Sequence, residues 1–211
     1  MPSSEPPTLQ PYDTAEAGRF RCTECGDCCR RHRVPITASD MARLVRATGL
    51  PARALVDWLS PDDVDMSGEP ESFVLLPAGR RLPVLAHVAP AGESRESTCR
   101  FLDTNRCTVY AARPACCRSF PLELADDVES GKRRLIVLPD AQCPGSFDGS
   151  DVSGAALRRL DERCRELRQH VHLVGAWNHR QRRRRLANGR VESADAFLAF
   201  VVLRASETAL L

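Results

Sequence analysis

Ten cysteines mark this chain of 211 residues, and four of them fall within eight positions. The segment RCTECGDCCRRH, residues 21–32, contains Cys22, Cys25, Cys28 and Cys29. Two consecutive C-x-x-C spacings allow one loop to direct three thiolates at a common centre, either an iron–sulfur cluster or a tetrahedral zinc. Four buried apolar positions would make no core in a segment so rich in charge. We therefore interpret these cysteines as metal ligands.

The side chains of the adjacent residues Cys28 and Cys29 are expected to point in different directions. Neighbouring side chains of extended backbone point to opposite sides, so we expect Cys29 to face a different centre from Cys28. Gly26 lies between the two C-x-x-C pairs and allows the close turn that such a loop requires. His32 follows Cys29 by three residues and is a candidate to replace a cysteine ligand.

A second group of cysteines follows in loops between expected strands, within STCRFLDTNRCTVYAARPACCRSFP and AQCPGSF: Cys99, Cys107, Cys116, Cys117 and Cys143. A cysteine followed by proline, as in Cys143-Pro144, is typical of the distant ligand of ferredoxin clusters. Cys116 is left open between a ligand and a packing residue. Cys164 falls on the apolar stripe of a predicted helix, and we interpret it as a packing residue.

Arginines accompany the cysteines, and Arg113 and Arg118 bracket the sequence PACC. A centre with four thiolates carries net negative charge, so nearby guanidinium groups would stabilise it and raise its reduction potential. We predict Arg113 and Arg118 to be cofactor-binding residues. Tyr110 and Phe120, in the same stretch, are interpreted as packing residues.

These motifs resemble the YkgJ-type cysteine-cluster proteins, a family described as carrying a zinc- or iron-chelating domain. The resemblance rests on CTECGDCC, CRFLDTNRCTVYAARPACCRSFP and CPG, and it covers about residues 20–147. Some larger relatives resemble flagellin lysine methylases, but no further sequence here supports that activity. The family motif has one cysteine three places after the proline, so Cys116 departs from it. The resemblance implies these metal ligands: Cys22, Cys25, Cys28, Cys29, Cys99, Cys107, Cys117 and Cys143.

The eight matched cysteines divide into two sets of four. One hypothesis places Cys22, Cys25, Cys28 and Cys143 on one centre, and Cys29, Cys99, Cys107 and Cys117 on another. A single cluster with additional thiols is the alternative.

The stacked cysteine triple and the Cys-Pro pair favour a 4Fe-4S iron–sulfur cluster over zinc or iron ions. The predicted function is electron transfer or metal-dependent modification of a partner. The alternative is a zinc-stapled interaction module without catalysis, and dithiol redox chemistry ranks last. The sequence indicates neither a substrate nor catalytic residues.

The elements expected to position these ligands form an α+β fold: a small cysteine-rich domain with short β-hairpins and loops, followed by C-terminal helices. We predict a disordered tail over 1–18, the metal-binding domain over 19–150, and a helical extension over 151–211 that packs on it. Within ITASDMARLVRATGL we predict a helix with Ser39 as N-cap, ending at Gly49. PARALVDWL predicts another helix that begins with Pro51.

Further along, FVLLPAGRRLPVLAHVA and FPLELADDVESGKRRLIVLP predict two hairpins, the second turning at Ser130-Gly131. The heptad-like spacing of apolar residues predicts a long helix from Ser153 to about Leu186, which Asn188-Gly189 ends. A last apolar helix is expected to pack on it.

Composition limits the remaining function classes. The formal net charge is +2, and the N-terminus lacks the basic start and apolar run of a signal peptide. No apolar run reaches the roughly 18–20 residues of a membrane span. We therefore expect a cytoplasmic protein with reduced thiols, no membrane contact, and an unidentified protein or redox partner. The basic run NHRQRRRRLANG is interpreted as a solvated helix end, with nucleic-acid binding as the less favoured alternative.

Overall fold

The computed structural model describes residues 19–64, 70–89, 97–127, 132–138, 145–146 and 153–208. Helices combine with small antiparallel sheets, so the predicted α+β class is confirmed. The helices are α1 (Asp27–Arg31), α2 (Ala38–Thr48), α3 (Ala115–Ser119), α4 (Ser153–Asn188) and α5 (Ala194–Thr208). The strands are β1 (Val56–Leu59), β2 (Val74–Leu76), β3 (Gly79–Leu85), β4 (His87–Val88), β5 (Thr98–Cys99), β6 (Leu102–Asp103), β7 (Arg106–Cys107), β8 (Leu122–Asp127) and β9 (Lys132–Val137).

The strands pair only with near neighbours. Strand β3 lies between β1 and β2 in a three-stranded sheet, and the pairs β4–β5, β6–β7 and β8–β9 form two-stranded sheets. Both predicted hairpins are confirmed, as β2–β3 and β8–β9. The expected turn at Ser130-Gly131 lies outside the described residues, as does the predicted tail over 1–18. The expectation that the downstream cysteines lie in loops is wrong for those described: Cys99 and Cys107 end the short strands β5 and β7, and Cys116 and Cys117 belong to α3.

Helix α2 begins two residues earlier than the predicted N-cap suggests. Thr37, not Ser39, is the N-cap, because its side chain accepts from the Asp40 backbone N–H while the Asp40 carboxylate accepts from the Thr37 N–H. This reciprocal capping box satisfies two backbone donors at once. Gly49, at φ 69°, ends the helix as expected.

The helix predicted for PARALVDWL is wrong. The segment forms a 3-10 turn over Ala52–Ala54 and then strand β1, which pairs antiparallel with β3. Val56 and Trp58 favour a pleated surface, and pairing with β3 outweighs the local helical spacing. The result is a three-stranded sheet whose buried face contributes to the main core.

The main core gathers around Trp177 of α4 and Phe197 of α5, whose ring centroids are 5.3 Å apart. The Trp177 indole N–H donates to the Leu75 carbonyl of β2 at 3.0 Å. Neighbouring Asn178 accepts from the Leu75 N–H and donates to the Phe73 carbonyl. Helix α5 packs chiefly on α2, and it meets α4 as expected through these aromatic rings. The long helix is thereby fixed to the sheet.

A smaller core attaches the β8–β9 hairpin to the start of α4, through Leu122, Leu135, Ala156 and Leu160. Cys99 belongs to the main core, Cys29 and Cys107 pack against it, and α3, which carries Cys117, packs on α4. Among the described helices, none combines the length and apolar character that a bilayer span would need.

Candidate metal centre

The first cysteine loop is shaped by Gly26, which precedes α1 with φ 78°. A Cβ there would lie 2.9 Å from the Leu102 Cδ1 and 3.1 Å from the Asn105 carbonyl oxygen. Arg30 of α1 donates to the carbonyls of Cys25 at 3.1 Å and Thr104 at 2.8 Å. The loop is therefore held tightly against the β6–β7 turn, which agrees with the role expected for the glycine.

Cys28 and Cys29 point in similar directions, contrary to the sequence-based expectation. Their Sγ atoms are 3.9 Å apart. The expectation assumed extended backbone, but both residues belong to α1, where side chains do not alternate. The two thiols therefore share one neighbourhood.

Five thiols influence one another, and we call them the inner thiols: Cys28, Cys29, Cys99, Cys107 and Cys117. Four of them come from α1, β5 and β7, and Cys117 comes from α3. Burial raises the pKa of Cys117, and the neighbouring thiols of Cys116, Cys28 and Cys29 raise it further. The fold thus gathers cysteines from four separate elements.

Hydrogen bonding between the inner thiols shifts their pKa values in different directions. The pKa of Cys28 is raised, first by its hydrogen bond to Cys29 and then by burial. For Cys29 the bond to Cys28 lowers the pKa, but its contact with Cys99 and burial outweigh this and raise it to about 12. The contact with Cys29 lowers the pKa of Cys99 despite burial. Crowded thiols of this kind must lose protons when they bind a metal.

The remaining cysteines of the first motif, Cys22 and Cys25, are the outer thiols. Cys22 is exposed and Cys25 half-buried, and the Cys22 Sγ accepts from the Glu24 backbone N–H at 3.4 Å. Cys143, the predicted distant ligand, lies outside the described residues. Cys164 is half-buried on α4.

The chain around residues 145–146 is fixed beside the outer thiols. Arg21 and Ser146 form an isolated antiparallel bridge, with N–H to carbonyl distances of 2.8 and 3.2 Å. A Cβ on Gly145 would lie 2.2 Å from the Phe20 ring, so the two segments approach as closely as only glycine permits. The residue before Cys22 is thereby paired with a residue three positions after Cys143.

Asp40 is a site residue that sequence reasoning missed. Its carboxylate is completely buried, and it accepts from the Ala115 N–H at 2.8 Å and from Arg43 at 2.7 Å, in addition to capping α2. Ala115 is the first residue of α3, and Cys117 follows two positions later. The Thr37-x-x-Asp40 spacing is a local signal for the cap, which the assignment of Ser39 overlooked, but no local signal indicated the bond to Ala115 across 75 residues.

The two predicted cofactor-binding arginines occupy different surroundings. Arg113 stacks on the Tyr110 ring at 3.5 Å and lies near the inner thiols. Burial raises the pKa of Cys107, and the Arg113 guanidinium acts in the opposite direction. Arg118 binds Glu162 and Glu166 of α4 at 3.4 and 3.2 Å, so it holds α3 against the long helix. Contact of either arginine with a cofactor stays a prediction.

His32 provides a non-thiol donor next to the inner thiols. Its Nε2 is buried and has no hydrogen-bond partner among the described residues, and its ring lies 5.1 Å from that of Phe120. A buried nitrogen without a partner is costly unless something binds it. The expectation that His32 can act as a ligand therefore stays open.

Within the described ranges, no three His, Cys, Asp or Glu side chains stand in a group that could hold a metal ion. The inner thiols thus lie near one another, but they are not arranged as a complete set of metal ligands. As a donor set, however, thiols with one unpartnered imidazole nitrogen fit zinc or iron, which both accept soft sulfur and imidazole ligands.

Comparison with known protein families gives one match. The family model "CxxCxxCC: Putative zinc- or iron-chelating domain" covers residues 21–144, which include every inner and outer thiol and Cys143. No curated protein and no solved structure matches the chain.

Proposed function

Because the chain belongs to the CxxCxxCC family of zinc- or iron-chelating domains, we propose that it holds one or two cysteine-ligated iron–sulfur centres. We propose further that these serve electron transfer or the metal-dependent modification of a partner protein. The observation that carries the proposal is the gathering of the inner thiols from four separate elements. A packing role would not require five cysteines in mutual contact or electrostatic coupling.

The first proposed centre uses Cys29, Cys99, Cys107 and Cys117. Cys29 contacts Cys99, and the charges of Cys107 and Cys117 both raise the pKa of Cys99. The support is therefore mutual influence among all members of the set. Placement on short rigid elements suits ligands, because the scaffold holds the sulfurs while backbone N–H groups stay free to bond them.

The second proposed centre uses Cys22, Cys25, Cys28 and Cys143. The bridge between Arg21 and Ser146 supports it, because it joins the segments that precede Cys22 and follow Cys143. Cys28 lies at the border between the two sets, since its charge also affects Cys107 and Cys117.

A bound iron–sulfur cluster would supply one-electron transfer. The residues of this chain would stabilise the thiolates and position the ligands. Arg113 places positive charge near Cys28 and Cys107 and favours their thiolate forms. Asp40 and Arg118 hold α3, and with it Cys117, against α2 and α4.

A zinc clamp is the second candidate function, and one distance favours it. Four ligands at 2.3 Å from a zinc ion in a regular tetrahedron lie about 3.8 Å apart. The Sγ atoms of Cys28 and Cys29 are 3.9 Å apart. Under this alternative the two residues share one zinc, the metal only orders the loops, and no electron transfer takes place.

Anaerobic purification followed by measurement of iron, zinc and acid-labile sulfide per chain tests the two candidates. The iron–sulfur proposal predicts about four iron and four sulfide per centre. Zinc without sulfide would support the clamp and exclude electron transfer. Absence of metal after reconstitution with either ion would overturn both. Cys164→Ser is the matched control, because it removes a cysteine outside both proposed sets.

A further inference from the structure

A cavity of about 540 Å³ opens beside the inner thiols. Its volume falls in the range of about 300–1,000 Å³ that is typical of small-molecule sites. Its lining includes five cysteines: Cys28, Cys29, Cys99, Cys116 and Cys117. Other parts of the lining come from α4 and from the ends of the β8–β9 hairpin, including Leu122, Leu138 and Leu167.

Most of the lining is apolar, and Phe120, Leu138 and Leu167 are only half-buried although they line an interior space. The charged groups at its edge are paired within the protein. Arg163 binds Glu123 at 2.6 Å, and Arg33 binds Asp57 at 3.2 Å. A charged ligand would have to compete with these internal pairs, so the lining favours an uncharged one.

His170 places a hydrogen-bond donor in this apolar lining. The residue is 2% exposed, and its Nδ1 accepts from the Ala38 N–H at 3.2 Å. Burial lowers the pKa of His170 to about 4, so the ring is neutral near pH 7. A neutral ring that accepts at Nδ1 carries its proton on Nε2. In the part of the chain that the structure describes, no group accepts that proton.

Ser72 adds a second polar group to the lining. It is 3% exposed, lines the same cavity, and its Oγ is buried without a hydrogen-bond partner among the described residues. Buried polar atoms are normally satisfied, and each exception requires an explanation. The unsatisfied Ser72 hydroxyl, together with the His170 ring in the same apolar lining, suggests a missing oxygen-bearing ligand.

We propose that this cavity binds an uncharged, mainly apolar small organic molecule with a carbonyl or hydroxyl oxygen, and that this oxygen accepts from the Nε2–H of His170. Such a molecule would lie beside the inner thiols. Because Cys28, Cys29, Cys99 and Cys117 line the cavity and are also proposed metal ligands, the consequence that the ligand meets a metal centre rests on the proposed function.

The neutral fluorophore 6-propionyl-2-dimethylaminonaphthalene is a suitable probe, because its emission responds both to apolar surroundings and to hydrogen bonding at its carbonyl. We expect saturable binding to the full chain with one site and a blue-shifted emission. Titration of 2-dimethylaminonaphthalene, which lacks the carbonyl, should give an affinity about five to tenfold lower, as expected for loss of one buried hydrogen bond. Equal affinities would overturn the role of His170.

Leu167→Trp places a larger side chain in the cavity and should weaken binding of the carbonyl probe at least tenfold. Leu186→Trp is the matched control, since Leu186 lies on the same helix and is 89% exposed, and it should bind like the wild type. Metal content and circular dichroism are measured on the same samples. Unchanged binding in folded Leu167→Trp, or no saturable binding in the wild type, would overturn the cavity proposal whatever the metal content.

Discussion

Residues 22–29 contain both outer thiols and two of the five inner thiols, yet the two groups lie in different environments. Cys28 and Cys29 lie on α1 and meet cysteines brought in by β5, β7 and α3. Cys22 and Cys25 precede Gly26 on the loop, and Cys22 is exposed. The difference shows that one run of C-x-x-C spacings can supply both a group of thiols gathered from several elements and an exposed thiol, because the chain turns at the glycine between them.

The comparison also separates two kinds of support. The inner thiols rest on a buried framework, in which Asp40 and Arg118 hold the helix of Cys117. The outer thiols rest on a backbone bridge and on tight glycine contacts. We therefore expect stability to depend on the inner group more than on the outer one.

The largest effect is expected from removal of an inner ligand. Cys117→Ser should eliminate the metal of one centre and lower the free energy of unfolding by several kcal/mol, because the binding energy of a structural metal, about 10 kcal/mol or more, is also folding energy. Cys22→Ser should reduce metal content with a smaller loss of stability. Elemental analysis and urea unfolding measure both.

Cys164→Ser is the control for this pair and should retain the metal and stability of the wild type. Equal loss of stability in Cys117→Ser and Cys22→Ser would remove the distinction between the inner and outer thiols.

Asp40→Ala tests the framework beneath the inner group. It leaves the Ala115 N–H without its buried acceptor and removes one of the two carboxylates that Arg43 binds, the other being Glu166, and we expect a loss of about 2–3 kcal/mol in the free energy of unfolding. Urea unfolding measures the loss. Asp195→Ala, at an exposed position in the first turn of α5, should cost less than about 1 kcal/mol. Similar values for the two variants would contradict the role assigned to Asp40.

His170 should make stability depend on pH. Burial lowers its pKa to about 4, with Asp40 acting weakly in the opposite direction. The unfolded chain therefore binds a proton more readily, and stability present above about pH 6.5 is lost progressively down to about pH 4. Between pH 6.5 and pH 5 the loss should be about 2 kcal/mol.

Unfolding of His170→Gln and His172→Gln at both pH values isolates this contribution. The wild type and His172→Gln, which changes an exposed position on the same helix, should share the acid loss. His170→Gln should lack about 2 kcal/mol of it. The same acid dependence in all three proteins would show that other groups cause it.

The smallest expected effect is a difference in alkylation rate between the inner and outer thiols. After metal removal, iodoacetamide at pH 8 should modify exposed Cys22 at least about tenfold faster than Cys29, because the thiolate reacts and the pKa of Cys29 is raised to about 12. Peptide mass spectrometry reads both rates. Each unit of higher pH should accelerate Cys29 by about tenfold until its pKa is approached. A faster reaction at Cys29 would reverse the assignment of inner and outer thiols.

Local patterns predicted much of the fold. The apolar spacing of α4 and the strand patterns of the two hairpins are local features of a few positions, and the structure agrees with them. The segment around Val56 and Trp58 was predicted as a helix because its spacing is locally helical. Its partner strand β3 lies more than 20 residues away, so the pairing that makes it a strand was not visible.

The same division applies to the site. The sequence by itself determined the family, the supply of thiols and the need for Gly26, because motif spacing and backbone conformation are local properties. Only the tertiary structure decided that Cys28 and Cys29 share a neighbourhood with Cys117, that Asp40 holds α3, and that His170 lines a cavity. Those contacts join residues 75 to 132 positions apart, as for Asp40 with Ala115 and Ala38 with His170. Packing of α2 and α3 on α4 brings them together, and no local pattern encodes that packing.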